Sequence, residues 1–397
     1  MTELNAFNIA TGLKPLSHLS HPREVIRQFT PNWFAVTMGT GILSLALVQF
    51  PIRIPGLNAF AEGLWVFNIF LFCLFTILYA ARWLFFFEGA RRIFGHSVVS
   101  MFFGCIPMGL ATIINGFLVF GLPRWGHIVV EIAIVLWYFD AIIAFICGVS
   151  IPYFMFTRQK HSIDQMTAVW LLPVVAGEVA ATTGAFLAPY IPDSMGQLTA
   201  IVASYALWAY SVPLAMGILV ILLLRMVLYK LPHVNMAASC WLALGPIGTG
   251  GLGLLVLGDV SPEILISNNF GNYANGIRSF SLIAGIMLWG YGLWWFSIAL
   301  LITLRYLRDG FPFNLGWWGY TFPIGVYAVA TLKLSTLLPI IIFKVFVGIL
   351  VILLFLLWLI VGKRTISGAW RGDLFVSPCL RDEENATACT LSEKLRC

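Results

Sequence analysis

Charge is what this 397-residue chain has least of: Asp, Glu, Lys and Arg make up 10% of it, against 60% hydrophobic residues. Soluble domains carry about 25% charged residues, so a water-soluble globular protein is excluded. Lys and Arg are missing from the middle of every long apolar run, which leaves no fixed cation at mid-membrane depth. The net charge of +6 is dispersed over short loops, which excludes a basic patch for nucleic acid. The seven cysteines form no CxxC or Cys/His spacing, so neither a metal site nor a metal cofactor is expected. HExxH, GxSxG and nucleotide-binding loops are absent. The histidines (His18, His21, His96, His127, His161 and His233) fall in loops or at the ends of apolar runs. A membrane-embedded enzyme would lack a nucleophile and base within reach, and a receptor would lack a signalling domain. The polar first thirty residues contain no short apolar core with a cleavage site, so no removable leader is expected.

What is there is apolar length. Stretches of roughly 20 residues recur, each long enough to cross a hydrocarbon core of about 30 Å as a helix. Ten spans are expected, near 32–50, 63–86, 97–120, 128–152, 166–190, 198–228, 237–258, 278–305, 315–337 and 339–361. They divide the chain into a polar N-terminal segment 1–30, a membrane domain 31–362 and a polar tail 363–397, to which no role is assigned. Alternating the loops between the two sides puts eighteen of the 23 basic residues on one side. The positive-inside rule makes that side, with both termini, cytoplasmic. The expected location is a multi-pass protein of the cell membrane, plasma or inner. The Asn385-Ala-Thr387 sequon, in the cytoplasmic tail, is read as chance.

Odd and even spans differ in character. Spans 3, 5, 7 and 9 carry Pro107, Pro173, Pro246 and Pro323, and span 1 interleaves Gly39 and Gly41 with Thr37 and Thr40 in FAVTMGTGILSLAL. Even spans are bulky, as in FVGILVILLFLLWLIV, although Pro213 interrupts span 6. Small residues let helix backbones approach closely, and bulky aliphatic faces suit lipid. The pattern predicts an all-α membrane protein of five helical hairpins, with five kinked inner helices around a central pore and five outer helices as a jacket.

Three motifs carry a family likeness: Gly316-Trp317-Trp318 with Tyr320-Thr321-Phe322-Pro323, the glycine-rich segment from Gly245-Pro246, and Asn32-Trp33-Phe34 leading into Met38-Gly39-Thr40-Gly41. The chain resembles the tellurite-resistance/dicarboxylate transporter family, which includes slow anion channels, malic acid permeases and sulfite efflux pumps. The likeness spans roughly residues 25–365 and is nearest to the sulfite efflux branch. It implies five hairpins around a pore, assembly as a homotrimer, and occlusion of the pore by a phenylalanine of the ninth span, here Phe322. The implied cargo is a small anion crossing the lipid bilayer: sulfite first, with malate or another C4-dicarboxylate, proton-coupled or not, as the alternative.

Conduction needs binding weak enough to release the ion. Broken helices would offer backbone N–H groups at their N-terminal ends, and Thr37, Thr40, Thr112, Thr182, Thr183, Thr249 and Thr321 would add hydroxyls. The alternative is that each threonine bonds its own helix carbonyl. Gly39, Gly41, Pro107, Pro173, Pro246 and Pro323 complete the expected lining. Lys333 and Lys344 flank the outer end, either drawing anions to the mouth or anchoring the helices at the interface. Glu131, Asp140 and Glu178 lie within spans. Intramembrane acids are functional candidates, and Glu178, on inner span 5, is the expected proton-coupling site or else a protonated structural group.

Overall fold

The computed structural model describes residues 14–380 except Phe311. The charged run 381–384, the sequon at Asn385, Cys389 and Cys397 lie outside the described residues.

Ten long helices follow one another: α1 Phe34–Val48, α2 Leu57–Phe85, α3 Cys105–Gly116, α4 Ile128–Thr157, α5 Leu172–Leu187, α6 Ser194–Tyr229, α7 Leu244–Ser267, α8 Ala274–Asp309, α9 Thr321–Leu337 and α10 Ile341–Arg371. Among the described residues, nine helical stretches are long and apolar enough to cross a membrane. The 17-residue α9 stays outside that count.

Burial separates the two sets. Over the 18 apolar residues best able to cross a membrane, the stretches containing α1, α3, α5 and α7 are 89%, 72%, 94% and 100% buried, whereas those containing α2, α4, α6, α8 and α10 are only 28–33% buried. In α9 every residue from Thr321 to Thr331 is buried. The exposed faces of the even helices are Phe, Ile, Leu and Val, such as Phe70, Ile142, Val220, Ile283 and Ile352, which is what lipid contact requires.

Each inner helix begins the same way. A 3-10 segment leads in (Pro31–Trp33, Val99–Gly104, Ala168–Leu171, Val234–Ala243 and Leu315–Tyr320), and the chain then relaxes into the α form. Pro107, Pro246 and Pro323 are the third residues of their α-helices and Pro173 is the second. A proline in the first α turn needs no N–H partner and brings a helical φ. The break expected in mid-helix is therefore a change of helix type at the start of the α segment. Its junction amides are not free: Cys105 N–H donates to Phe102, Leu244 N–H to Trp241, and Thr321 N–H to Trp318.

The five inner helices close into a ring in the order α1, α3, α5, α7, α9 and back to α1. Glycines make every seam. Side chains of the neighbour occupy the space a Cβ would need at Gly41 (Thr112), Gly109 (Thr37), Gly253 (Thr182), Gly325 (Ile42) and Gly39 (Thr321). At Gly104 and Gly248 the obstacle is the backbone of Leu172 and of Tyr327.

The jacket is pinned by a repeated contact. Each outer helix sends one tryptophan N–H to the inner helix of the following hairpin. Trp65 donates to the Ile113 carbonyl, Trp137 to Ala180, Trp208 to Gly250, Trp289 to the Thr331 hydroxyl and Trp358 to the Thr40 hydroxyl, at 2.9–3.1 Å. The fifth contact returns to the first inner helix, so the hairpins are linked cyclically. A buried indole N–H needs an acceptor, and here that need sets where each outer helix docks.

The tail differs from expectation. α10 runs to Arg371, past the boundary placed at 362, and the chain then folds back to the N-terminal end of the ring. Phe375 stacks on Trp33 at 4.9 Å, and Ser377 takes a hydrogen bond from the buried Arg82 guanidinium while its N–H donates to Gln28. Arg82 also donates to the carbonyls of Phe29 and Gly89.

Candidate functional site: two cavities on the ring axis

Two cavities lie along the ring. The first, a chamber of about 240 Å³, is lined by residues of all five inner helices. Ile42 and Leu45 come from α1, Thr112 and Asn115 from α3, Thr182 and Thr183 from α5, Thr249 and Leu252 from α7, and Phe322, Val326 and Val329 from α9. The second, a vestibule of about 320 Å³, lies among the lead-in segments; Met38, Cys105, Leu172, Leu242 and Gly319 are, by position along the chain, its deepest residues, the nearest to the chamber. The folded-back tail contributes Asp373, Leu374, Val376 and Pro378 to its wall.

On each inner helix the vestibule's deepest residue precedes the first chamber residue by a short step, from Met38 to Ile42 on α1 and from Gly319 to Phe322 on α9. At 1.5 Å per residue the separation is about 5–10 Å. Phe322, 3% exposed, is the chamber residue of α9 nearest the vestibule.

The chamber wall has two sides. α9 and α1 supply apolar side chains, apart from Gln49 at the end of α1, whereas α3, α5 and α7 supply Thr112, Asn115, Thr182, Thr183 and Thr249 interspersed with Ala111, Val179, Phe186 and Leu252. No charged side chain lines it among the described residues. Such a surface offers hydroxyl and amide dipoles to a desolvated ion without a counter-charge that would hold it.

The expected lining residues separate on this geometry. Thr249 and Phe322 face the chamber. Thr37 does not: its hydroxyl donates to the Phe34 carbonyl and its side chain fills the gap at Gly109. Thr40 points outward to Trp358, and Thr321 bonds the Trp318 carbonyl against Gly39. Gly39 and Gly41 make helix seams, while Pro107, Pro173, Pro246 and Pro323 mark the 3-10 to α junctions; none of the six lines either cavity. Asn115 was not singled out in the sequence, although an amide in an apolar span was signal enough.

Glu178 is fully buried on α5 but off the axis. One of its oxygens lies 3.4 Å from where a Cβ of Gly250 would stand, beside Val212 of α6, and neither oxygen has a hydrogen-bond partner among the described residues. Asp140 of α4 is equally buried and unpartnered, whereas Glu131 is exposed. Lys333 pairs with Asp259 at 2.5 Å, and Lys344 is exposed on α10.

A closed ring of small-residue helices inside a lipid-facing jacket, with an uncharged polar chamber on its axis, is the architecture of a membrane transport protein. The chain belongs to the voltage-dependent anion channel family, which it matches over residues 28–366. It is 35% identical to the sulfite efflux pump of Arthroderma otae over 352 residues, 88% of this chain and 93% of that one. It is 36% identical to the sulfite efflux pump of Trichophyton rubrum over 312 residues, 78% of this chain and 82% of that one. The malic acid transport protein of Schizosaccharomyces pombe is 23% identical over 368 residues, 90% of this chain and 81% of that one.

Proposed function

We propose that this protein carries sulfite out of the cell along the ring axis, with Phe322 as the gate between vestibule and chamber. The carrying observation is the chamber itself: all five inner helices contribute to it, its polar groups are hydroxyls and amides, and Phe322 stands at its inner boundary. A small oxyanion suits a cavity of about 240 Å³ without a basic residue. Two sulfite efflux pumps among its relatives, at 35% and 36% identity, support the same cargo.

Malate or another C4-dicarboxylate is the second reading, favoured by the 23% relative and disfavoured by the lack of a cation to hold a second carboxylate. In this proposal the transport domain occupies 31–362, both termini are cytoplasmic on the basic side of the plasma or inner membrane, and the working unit is a homotrimer. Glu178 is the proton-coupling candidate, and the protein is a transporter with no cofactor and no enzymatic step.

Flux from proteoliposomes, with sulfite, malate, nitrate and chloride compared at two pH values, tests this. Sulfite flux above that of empty liposomes is expected. Malate flux without sulfite flux would reverse the order of the readings, and no anion flux would remove both.

A further inference from the structure

Hydrogen-bond bookkeeping inside the chamber divides its polar groups into committed and free. Thr112 donates its hydroxyl hydrogen to the Gly109 carbonyl and Thr182 donates to the Glu178 carbonyl, each within its own helix. Such internal bonds leave no donor for a solute. Thr183 and Thr249 do otherwise. The Thr183 oxygen accepts from Asn115 Nδ2 at 3.1 Å, and its own hydrogen goes to no described group. The Thr249 hydroxyl, on a residue 2% exposed, has no described partner at all.

Asn115 keeps a second N–H after serving Thr183, and its Oδ1 is buried without a described partner. Buried polar groups left unbonded cost about 1–3 kcal/mol each, so two of them at one cavity, Asn115 Oδ1 and Thr249 Oγ1, point to a ligand that bonds them. The junction backbone amides, the other candidate donors, are already bonded.

We infer that Asn115, Thr183 and Thr249 form a binding site for a pyramidal oxyanion, one donor from each of α3, α5 and α7. This rests on the transport reading above and deepens it. The two-sided wall supplies the shape argument. In sulfite and hydrogensulfite the three oxygens lie on one side of the sulfur, matching donors on three consecutive ring helices. The sulfur side faces Phe322, Val326 and Ile42. Planar nitrate spreads its oxygens around the whole rim and would turn at least one towards the apolar side. Chloride takes donors from any direction and gains little from their placement.

The test uses the full chain in proteoliposomes, with sulfite flux competed by nitrate and by chloride. Thr183→Val and Thr249→Val keep the side-chain shape and remove the donor. Each is expected to lower the preference for sulfite over chloride about tenfold, the scale of one hydrogen bond to a charged group. Thr183→Ser and Thr249→Ser keep the hydroxyl and are expected to retain that preference. Valine variants that stay within about twofold of the wild-type preference, or serine variants that lose as much as valine, would overturn the site while leaving transport intact. Wild-type liposomes that pass no anion would instead remove the transport reading, and this site with it.

Discussion

A Cβ on Gly104 would stand 2.1 Å from the carbonyl oxygen of Leu172, the residue before Pro173. The last residue of one 3-10 lead-in thus touches the first residue of the next inner α-helix, backbone to backbone, where no side chain can move aside. Gly104→Val is expected to open the α3–α5 seam and destabilise the protein by about 1–3 kcal/mol or more. Thermal unfolding in detergent reads the loss. Gly63→Val, where nothing lies within 4 Å of the added Cβ, is the control and should melt close to wild type.

If Phe322 is the gate between chamber and vestibule, Phe322→Ala is expected to raise basal anion flux. A barrier lowered by about 1.4 kcal/mol raises a rate about tenfold, and removal of the whole ring should do at least that. The measurement is uptake into liposomes carrying protein of unchanged thermal stability. A stable variant with wild-type flux would take the gate away from this residue.

The tryptophan contacts between jacket and ring give a graded prediction. Trp137→Phe and Trp208→Phe each remove one N–H donor and leave the Ala180 or Gly250 carbonyl without it. A hydrogen bond contributes about 0.5–1.5 kcal/mol net, so each change should lower the melting temperature modestly. Trp65→Phe combined with Trp289→Phe, two substitutions with no shared partner, should show additive losses, read by the same melt.

Glu178 has no hydrogen-bond partner among the described residues and packs beside Gly250 and Val212. If it loads a proton with each anion, wild-type flux falls as pH rises, and Glu178→Gln, which is neutral at every pH, flattens that profile. Asp140→Asn is the companion, because Asp140 is the other buried unpartnered acid. A Glu178→Gln profile that follows wild type would assign the carboxyl a packing role only.

The alternation of inner and outer helices was legible because it is compositional: glycine and proline in one set, bulky aliphatic residues in the other. The direction of individual side chains was not. Successive residues of a helix turn by about 100°, so Thr37, Thr40 and Thr321 look equivalent to Thr249 in sequence, yet only Thr249 faces the chamber. The prolines were visible, but not that each would stand in a first α turn, because the 3-10 lead-ins depend on contacts between distant segments. The fold-back of the tail was hidden for a related reason. Leu374, Phe375 and Val376 form an apolar run far too short to be read as a span, and the partners of Phe375 and Ser377, Trp33 and Arg82, are hundreds of residues away.

Closure of the jacket also sets an order of assembly. Trp358 reaches Thr40 across 318 positions, so that contact cannot form until nearly the whole polypeptide has left the ribosome. During synthesis the first helix therefore waits in the bilayer with its glycine face uncovered. Domains form as the chain emerges from its N-terminus, and here the emerging product is an incomplete cylinder. Premature termination before the ninth helix would leave no partner for Gly39 or Ile42, and quality-control machinery would meet a groove exposed to lipid in place of a finished protein.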